Sequence, residues 1–472
     1  MVFLTSFLCS AFFLCWSFLF LKTYQLSSYN IPKFLQKVIR FDLSFGDKTY
    51  LVFTKRLVRF LIVLLFVSYG LFFLINYFIS SFLLIFFDYL IMLIFSPAIM
   101  VICHYIVLPI ENLIKLYYIF IAKRKLSKKD IIKIGITGSY GKTSTKNILT
   151  TMLEKEYNVC VTPKSYNTEM GITKTILSSL DDHDVFIAEM GARHKGDIEK
   201  LAQIVNPQYG IITTIGPQHL ETFLSLAVIE QTKFELAQNV VPPGIMVFNG
   251  DSQSTRNLFY KFNGKKYLTC QQNGFAYSQN EKITSDGSEF DLILDGKIFK
   301  AKTKLIGKCN IDNIVSASAL AYLLNIKPND IISAIKSLCP TPHRLELIKN
   351  DYMTIIDDSY NSNTTGFKEA LNVLSKFDGK KIVVTPGIVE MGKSQSNENF
   401  VLGGLIADVA DFIIIMNDTN KNELLSGAIS HEFNREKIFF ANTRKKQKEI
   451  LSLLTSKDCV VLFENDLPDN YK

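Results

Sequence analysis

The most specific chemistry in this chain lies in eight consecutive residues, Thr137-Gly138-Ser139-Tyr140-Gly141-Lys142-Thr143-Ser144. Glycines allow a turn tight enough for backbone N–H groups and a helix N-terminus to face phosphate oxygens. Lys142 is spaced to reach the terminal phosphates, and the Thr143 hydroxyl to bind Mg²⁺. The general phosphate-loop pattern has a glycine five places before Gly141, where this chain has Ile136, so the motif is the variant TGxxGKT[ST]. Gly138, Ser139, Gly141, Lys142, Thr143 and Ser144 are thus candidate contacts to ATP. Glu189 closes the apolar run VFIAE and offers a hard carboxylate suited to Mg²⁺. His219 and Lys233 are weaker signals: alone, the first reads as well as an ordinary buried histidine, and the second as an exposed helix lysine.

These residues need a scaffold. IIKIGITG reads as a buried strand and TSTKNILTTMLEKE as a helix with polar and apolar faces, so the loop falls between strand and helix. Further strands are predicted at 185–189, 210–215 and 245–248. The βαβ rhythm predicts an α/β domain on a mostly parallel sheet, whose strand ends are where ligands bind. Beyond residue 338, strands at 354–357, 381–385 and 412–415 predict a second, smaller, Rossmann-like α/β domain. The expected division is a transmembrane region over 1–128, a central ATP-binding domain over 129–338 and a C-terminal domain over 339–472.

The phosphate loop and the blocks after it resemble the Mur ligases, which form peptide bonds in bacterial cell-wall precursors, and most closely the branch that adds D-alanyl-D-alanine. The resemblance runs from about residue 132 to about 400. Tyr166-Asn167-Thr168-Glu169-Met170-Gly171 is similar to that family's Asn-Asn-x-Ile-Gly block, and Glu189-Met190-Gly191-Ala192-Arg193-His194 to its acidic strand end. Ile215-Gly216-Pro217-Gln218-His219 follows, with Lys233 at the family's interval of 14 residues. Asn249-Gly250-Asp251 resembles the Asn-x-Asp turn, and Asn310-Ile311-Asp312-Asn313 the asparagine pair near adenine. Arg344 and the block from Asp357 to Asn363 open the third domain as the family does. The resemblance implies ATP and Mg²⁺ as cofactors, with Thr143, Glu189, His219 and Lys233 around metal and Lys233 carbamylated. It also implies nucleotide contacts from Asn249, Asn310, Asn313, Arg344 and Asp358. The catalytic set would be Lys142, His219 and Lys233. Joining a carboxylate to an amine needs activation, which an acyl phosphate made from ATP provides. Domain closure matters because that acyl phosphate must meet amine before water.

The chain departs from the pattern in places. The family's domain for the uridine nucleotide has no counterpart, and Cys309 stands where the family usually has His. Thr385-Pro386-Gly387-Ile388-Val389-Glu390-Met391-Gly392 replaces Gly-Asp-Met-Leu-Glu-Leu-Gly, and the last residues lack a Lys-Gly-Ser element. These changes leave ATP use and amide formation as expectations and both substrates open.

The first 130 residues have another texture. They hold 14 Lys and Arg against five Asp and Glu, while the remainder holds 38 against 39. A basic, apolar head on a near-neutral body points to a membrane surface rather than nucleic acid. Apolar runs over 2–21, 60–80 and 82–110, the last interrupted by Asp88, are each about long enough to span a bilayer, the last two as a hairpin turning at Ser80–Ser81. Eight basic residues between Lys22 and Arg59, and the cluster Lys123, Arg124, Lys125, Lys128 and Lys129, place both segments in the cytoplasm. Residues 111–122 read as an interfacial helix. Asp88 and His104 inside the hairpin mark either a site for a lipid-linked substrate or a pairing between helices. The eight cysteines are scattered without ligand spacing, so neither zinc nor a disulfide framework is implied. The expected protein is a multi-pass ligase of the bacterial cytoplasmic membrane with its catalytic domains in the cytoplasm. Its partners would be membrane lipid, a nucleotide- or lipid-linked envelope precursor, and an amino acid or dipeptide. The alternative is a membrane P-loop ATPase in transport or signalling.

Overall fold

The computed structural model describes residues 2–41, 43, 51–79, 82–349, 353–360, 363–455 and 458–467. They form two compact units, 1–118 and 119–472. The division falls ten residues before the expected 128 because Ile119, Ala122 and Leu126 bury their side chains in the core of the second unit, beside Ile131, Leu180 and Ile204. Lys125 secures the same helix end through Asp181 at 3.1 Å.

The first unit is helical. Three helices are long and apolar enough to cross a membrane: Val2–Leu26, Lys55–Phe78 and Ser96–Ser127. The expected span over 82–110 is two helices, Phe82–Ile94 and the start of Ser96–Ser127. Pro97 explains the break: it has no N–H for the Leu93 carbonyl, which accepts from Trp16 Nε1 at 3.0 Å instead, and it suits the first turn of a new helix. The expected interfacial helix at 111–122 is the continuation of that long helix. The basic segment 22–59 holds a further helix, Ile31–Ile39, and the Ser80–Ser81 turn lies outside the described residues. Within the unit, Ser6, Ser10, Phe13, Ser17 and Leu21 make a buried stripe at helical spacing. Small side chains let helix backbones approach closely. Asn76 donates to Ser6 at 2.9 Å, and His104 shares a hydrogen bond of 2.6 Å with Tyr24. Pairing between helices therefore accounts for His104. Asp88 lies half-buried on the short helix.

The second unit carries two sheets. The first joins β1 (Ile132–Thr137), β2 (Val159–Val161), β3 (Val185–Glu189), β4 (Tyr209–Ile212), β5 (Ile245–Asn249) and β6 (Lys265–Thr269) to β7 (Ala276–Thr284), β8 (Gly287–Leu294) and β9 (Lys297–Thr303). Their order is β2-β3-β1-β4-β5-β6-β7-β8-β9, parallel as far as β7 and antiparallel from there. Alternate residues enter separate cores. Ile187, Ile211 and Val247 face one side with Ile311 and Ile314, while Phe186, Ile212 and Phe248 face the other. Both faces are thus covered, as parallel strands require. The second sheet joins β10 (Glu346–Lys349), β11 (Thr354–Asp358), β12 (Lys380–Thr385), β13 (Phe412–Met416), β14 (Ile438–Ala441) and β15 (Cys459–Glu464), in the order β10-β11-β15-β12-β13-β14. Only β10 runs antiparallel to its neighbour.

β15 is an apolar run wedged between β11 and β12, with Leu462 opposite Ile356 on one side and Val383 on the other. Leu462 is fully buried. Leu462→Ala should cost about 2–5 kcal/mol, measurable as an earlier unfolding midpoint in denaturant.

Candidate active site

The carboxyl ends of β1, β3 and β4 open into a cleft of about 590 Å³, lined from both sheets of the second unit. Residues 138–141 connect β1 to the helix Lys142–Leu153. Gly141 has φ +78°, and a Cβ there would collide with the Asn313 side-chain oxygen, so glycine is required. Lys142 Nζ folds back onto the carbonyls of Gly138 and Ser139, each at 2.8 Å. Burial lowers its pKa to about 8, with Glu189 opposing the shift and Arg344 adding to it.

Glu189, at the end of β3, is almost fully enclosed. Its Oε1 accepts from Asn167 at 3.0 Å, and its Oε2 from Thr143 at 2.9 Å and Lys146 at 3.2 Å. Burial alone would raise its pKa; Lys146, then Lys142, outweigh that and hold it below the ordinary carboxylate value. Lys146 is as buried as its partner and also donates to the carbonyls of Thr162 and Lys164. Burial pulls its pKa down against the pull of Glu189, but three oxygens around Nζ favour the ammonium.

Lys233 lies inside the protein, 3% exposed, not on a surface as its sequence alone allowed. Among the described residues no hydrogen bond or ion pair engages its Nζ. Its pKa is lowered well below the ordinary value, first by burial and then by Lys142. His219 also lines the cleft, with a backbone φ of +53° and a hydrogen bond from Nδ1 to Glu390. From the segment that leads into β10, the Arg344 guanidinium reaches Thr143 Oγ1 at 3.3 Å and stacks 4.4 Å over the Tyr360 ring. Asp358 accepts from the Leu345 N–H at 3.1 Å, and burial raises its pKa to about 6.

The cleft therefore gathers Ser139, Gly141, Lys142, Thr143, Ser144, Glu189, His219, Lys233, Asn310, Asn313, Arg344 and Asp358. Two expected contacts fall outside its lining. Gly138 sits beneath it, packed against Thr213. Asn249 is buried behind it, where its Oδ1 takes the Asp251 N–H at 2.9 Å and so shapes the turn that presents Asp251. Asn361 and Ser362, of the block opening the third domain, lie outside the described residues. Sequence reasoning missed Lys146 and Glu390. Lys146 had a signal, a charge in the core-facing register of Leu149 and Leu153, whereas no spacing rule links residue 390 to residue 219. The donor set fits the implied groups. A loop closed to any Cβ and edged by a helix N-terminus suits phosphates, and the Thr143 hydroxyl beside the Glu189 carboxylate suits a hard divalent cation.

Comparison with known proteins agrees with this geometry. The profile of the Mur ligase middle domain matches residues 136–321, and that of the Mur ligase glutamate ligase domain matches residues 343–463. The similarity thus extends past the residue-400 limit expected from motifs. The UDP-N-acetylmuramoyl-tripeptide–D-alanyl-D-alanine ligase of Bacillus subtilis is 28% identical over 349 residues, covering 73% of this chain and 75% of that protein. Among solved structures, MurF ligase of Thermotoga maritima in complex with ADP has a TM-score of 0.68 at 24% identity, covering 75% of this chain and 80% of its own. Folylpolyglutamate synthase of Mycobacterium tuberculosis shares the fold at a TM-score of 0.61 and 14% identity, over 76% of this chain and 95% of its own. The cleft and fold are those of an ATP-dependent ligase joining an acid to an amino acid, not of a transport ATPase. The chain belongs to the Mur ligase family.

Breaking a buried ion pair from one side leaves an uncompensated charge and costs about 3–5 kcal/mol. Lys146→Met should destabilise the second unit by that order, and Lys146→Met with Glu189→Gln should recover part of it, read by chemical denaturation. Because the folded-state pKa of Glu189 is depressed, its stabilising contribution is present above the ordinary carboxylate pKa. It is lost as pH falls through the lowered value, and the double variant should lack that acid-side loss.

Proposed function

We propose that this protein is a membrane-anchored ligase that uses ATP to join D-alanyl-D-alanine to a carboxylate of a muramoyl-peptide precursor. One observation carries this reading: Lys142, Thr143, Glu189, His219, Lys233 and Arg344 converge on one cleft from two domains. The substrates are taken from the names of curated relatives in Bacillus, Buchnera and Escherichia, which are D-alanyl-D-alanine ligases. Anchoring is supported by the three long apolar helices, and a cytoplasmic cleft by the basic segments that flank them.

In the proposed reaction an oxygen of the acceptor carboxylate attacks the γ-phosphorus of ATP, and ADP leaves. The amine of the dipeptide then attacks the acyl carbon, loses a proton, and inorganic phosphate departs. The loop N–H groups and Lys142 grip the phosphates, and Lys142 exchanges the carbonyls of Gly138 and Ser139 for phosphate oxygens. Arg344 holds the nucleotide from the second domain, and Asn310, Asn313 and Asp358 border it. Thr143 and Glu189 would hold one Mg²⁺, and His219 with carbamylated Lys233 a second. Bound there, Mg²⁺ neutralises the charge that develops during phosphoryl transfer. Closure of the two domains keeps water from the acyl phosphate.

The full chain in lipid nanodiscs, given ATP, Mg²⁺, D-alanyl-D-alanine and a muramoyl-tripeptide carried on UDP or on lipid, should release ADP and phosphate. Mass spectrometry should find the new amide. ATP turnover with no amide on either carrier would reject the assignment.

Lys233 supplies a second test. Burial and Lys142 drive this amine towards its neutral form against the weaker pull of Asp197 and Glu235, and a neutral amine captures carbon dioxide. As a carbamate it becomes the anion that a hard cation prefers. Lys233→Ala should lower turnover by about 10²-fold or more, and a short carboxylic acid should restore part of it. The native chain in ¹³C-bicarbonate should show a carbamate resonance that the variant lacks. Native turnover in Lys233→Ala would make the residue a packing lysine.

A further inference from the structure

The loop after β12 meets the loops of the central domain, where Leu220 packs against its apolar residues and Glu390 makes the polar contacts. Its carboxylate receives His219 Nδ1 on one oxygen, and on the other faces Arg193 Nη2 at 4.0 Å. Its carbonyl accepts the Glu221 N–H at 3.4 Å, so backbone and side chain both grip the turn that carries the histidine. Glu390 and His219 both have positive φ, +64° and +53°, an uncommon backbone for non-glycine residues. Such conformations persist where surrounding contacts over-determine them. Both side chains are only 18% exposed. Among the described residues His219 Nε2 makes no hydrogen bond.

We infer that Glu390 is a positioning residue that fixes the ring of His219 from the opposite domain, so that the histidine becomes a competent metal ligand only when the two domains meet. A carboxylate on Nδ1 sets the imidazole as the Nδ1–H tautomer, aims Nε2 outward and raises its basicity. Metal-binding histidines commonly receive this support from a carboxylate, a backbone carbonyl or water. Here it comes from a loop about 170 residues further along the chain. The second cation is thereby linked to domain closure: a domain held apart withdraws Glu390 and leaves His219 unoriented. This role rests on the ligase proposed above, with His219 as ligand.

The test uses the full chain in nanodiscs with a non-hydrolysable ATP analogue and Mn²⁺ as the probe, free Mn²⁺ being followed by electron paramagnetic resonance. The native chain should bind two Mn²⁺ per nucleotide complex. Glu390→Ala should weaken the second by about 10–100-fold, the usual loss when such support is removed. It should leave the first Mn²⁺ and the analogue's affinity within about two-fold. Glu390→Gln keeps a hydrogen-bond acceptor for Nδ1–H and should fall between native and Ala. An unchanged second Mn²⁺ in Glu390→Ala overturns the inference. So does a loss in Glu390→Gln as large as in Ala, since Glu390 would then be a ligand itself. Thermal melting of each variant near the native midpoint shows that the losses are local. Failure of the native chain to bind the analogue would instead reject the ligase assignment, separately from the role of Glu390.

Discussion

The buried pair of Lys146 and Glu189 is the contact on which the cleft's geometry depends. A carboxylate taken out of water at the end of β3 is tolerable only with a cation and hydrogen bonds around it. Lys146 supplies the cation from the helix after the phosphate loop, and Thr143 adds a hydroxyl from the same helix. Asn167 brings a third segment to the other oxygen. The carbonyls of Thr162 and Lys164 complete the shell of the ammonium and tie down the chain leaving β2. Loop, helix, strand and strap are held in register by the need of two charges to remain satisfied. Lys142, one turn before Lys146 on that helix, is aimed into the cleft as a consequence.

What was legible in the sequence was local. The phosphate loop could be read because its glycines answer a steric demand within a few residues, as the collision of a Cβ at Gly141 with Asn313 illustrates. Strands β1, β3 and β5 announced themselves as short apolar runs, and Glu189 as the acid ending one of them. Contacts between distant segments were not legible. Glu390 meets His219 across 171 positions. Lys233 looked like a helix surface residue because its own neighbours in sequence carry no sign of what packs above them. The meander β7–β9 was overlooked although Asp286-Gly287 and Asp295-Gly296 sit at its two turns, flanked by alternating residues, which is a strong hairpin signal. In the head, hydropathy found apolar runs but not the helix break at Phe95. A break set by one proline leaves average hydropathy unchanged.

The helical unit uses polar groups sparingly and in pairs. Arg59 meets Glu111 through two hydrogen bonds of 2.6 and 2.9 Å, joining the start of one long helix to the middle of another. A bidentate guanidinium–carboxylate contact fixes orientation as well as distance. With Asn76 on Ser6 and His104 on Tyr24, three such pairs tie together Val2–Leu26, Lys55–Phe78 and Ser96–Ser127. These pairs add direction to the apolar packing of the unit.

The place of β15 has a consequence for synthesis. It is the latest strand of its sheet to be made, yet it lies between β11 and β12 and supplies hydrogen-bonding partners to both. β11 ends at Asp358 and β15 at Glu464, so roughly a hundred residues separate them on the growing chain. At about 5–20 residues per second, β11 waits on the order of 5–20 s for its neighbour. Until β15 arrives the inner edge of β11, and then that of β12, is unpaired, the kind of edge that recruits other strands. In the first sheet β1 waits in the same way for β4, from Thr137 to Ile212, but that sheet is complete by Thr303, before β11 is made. Order of synthesis therefore gives this protein a phosphate loop that is folded well before the domain that must close over it.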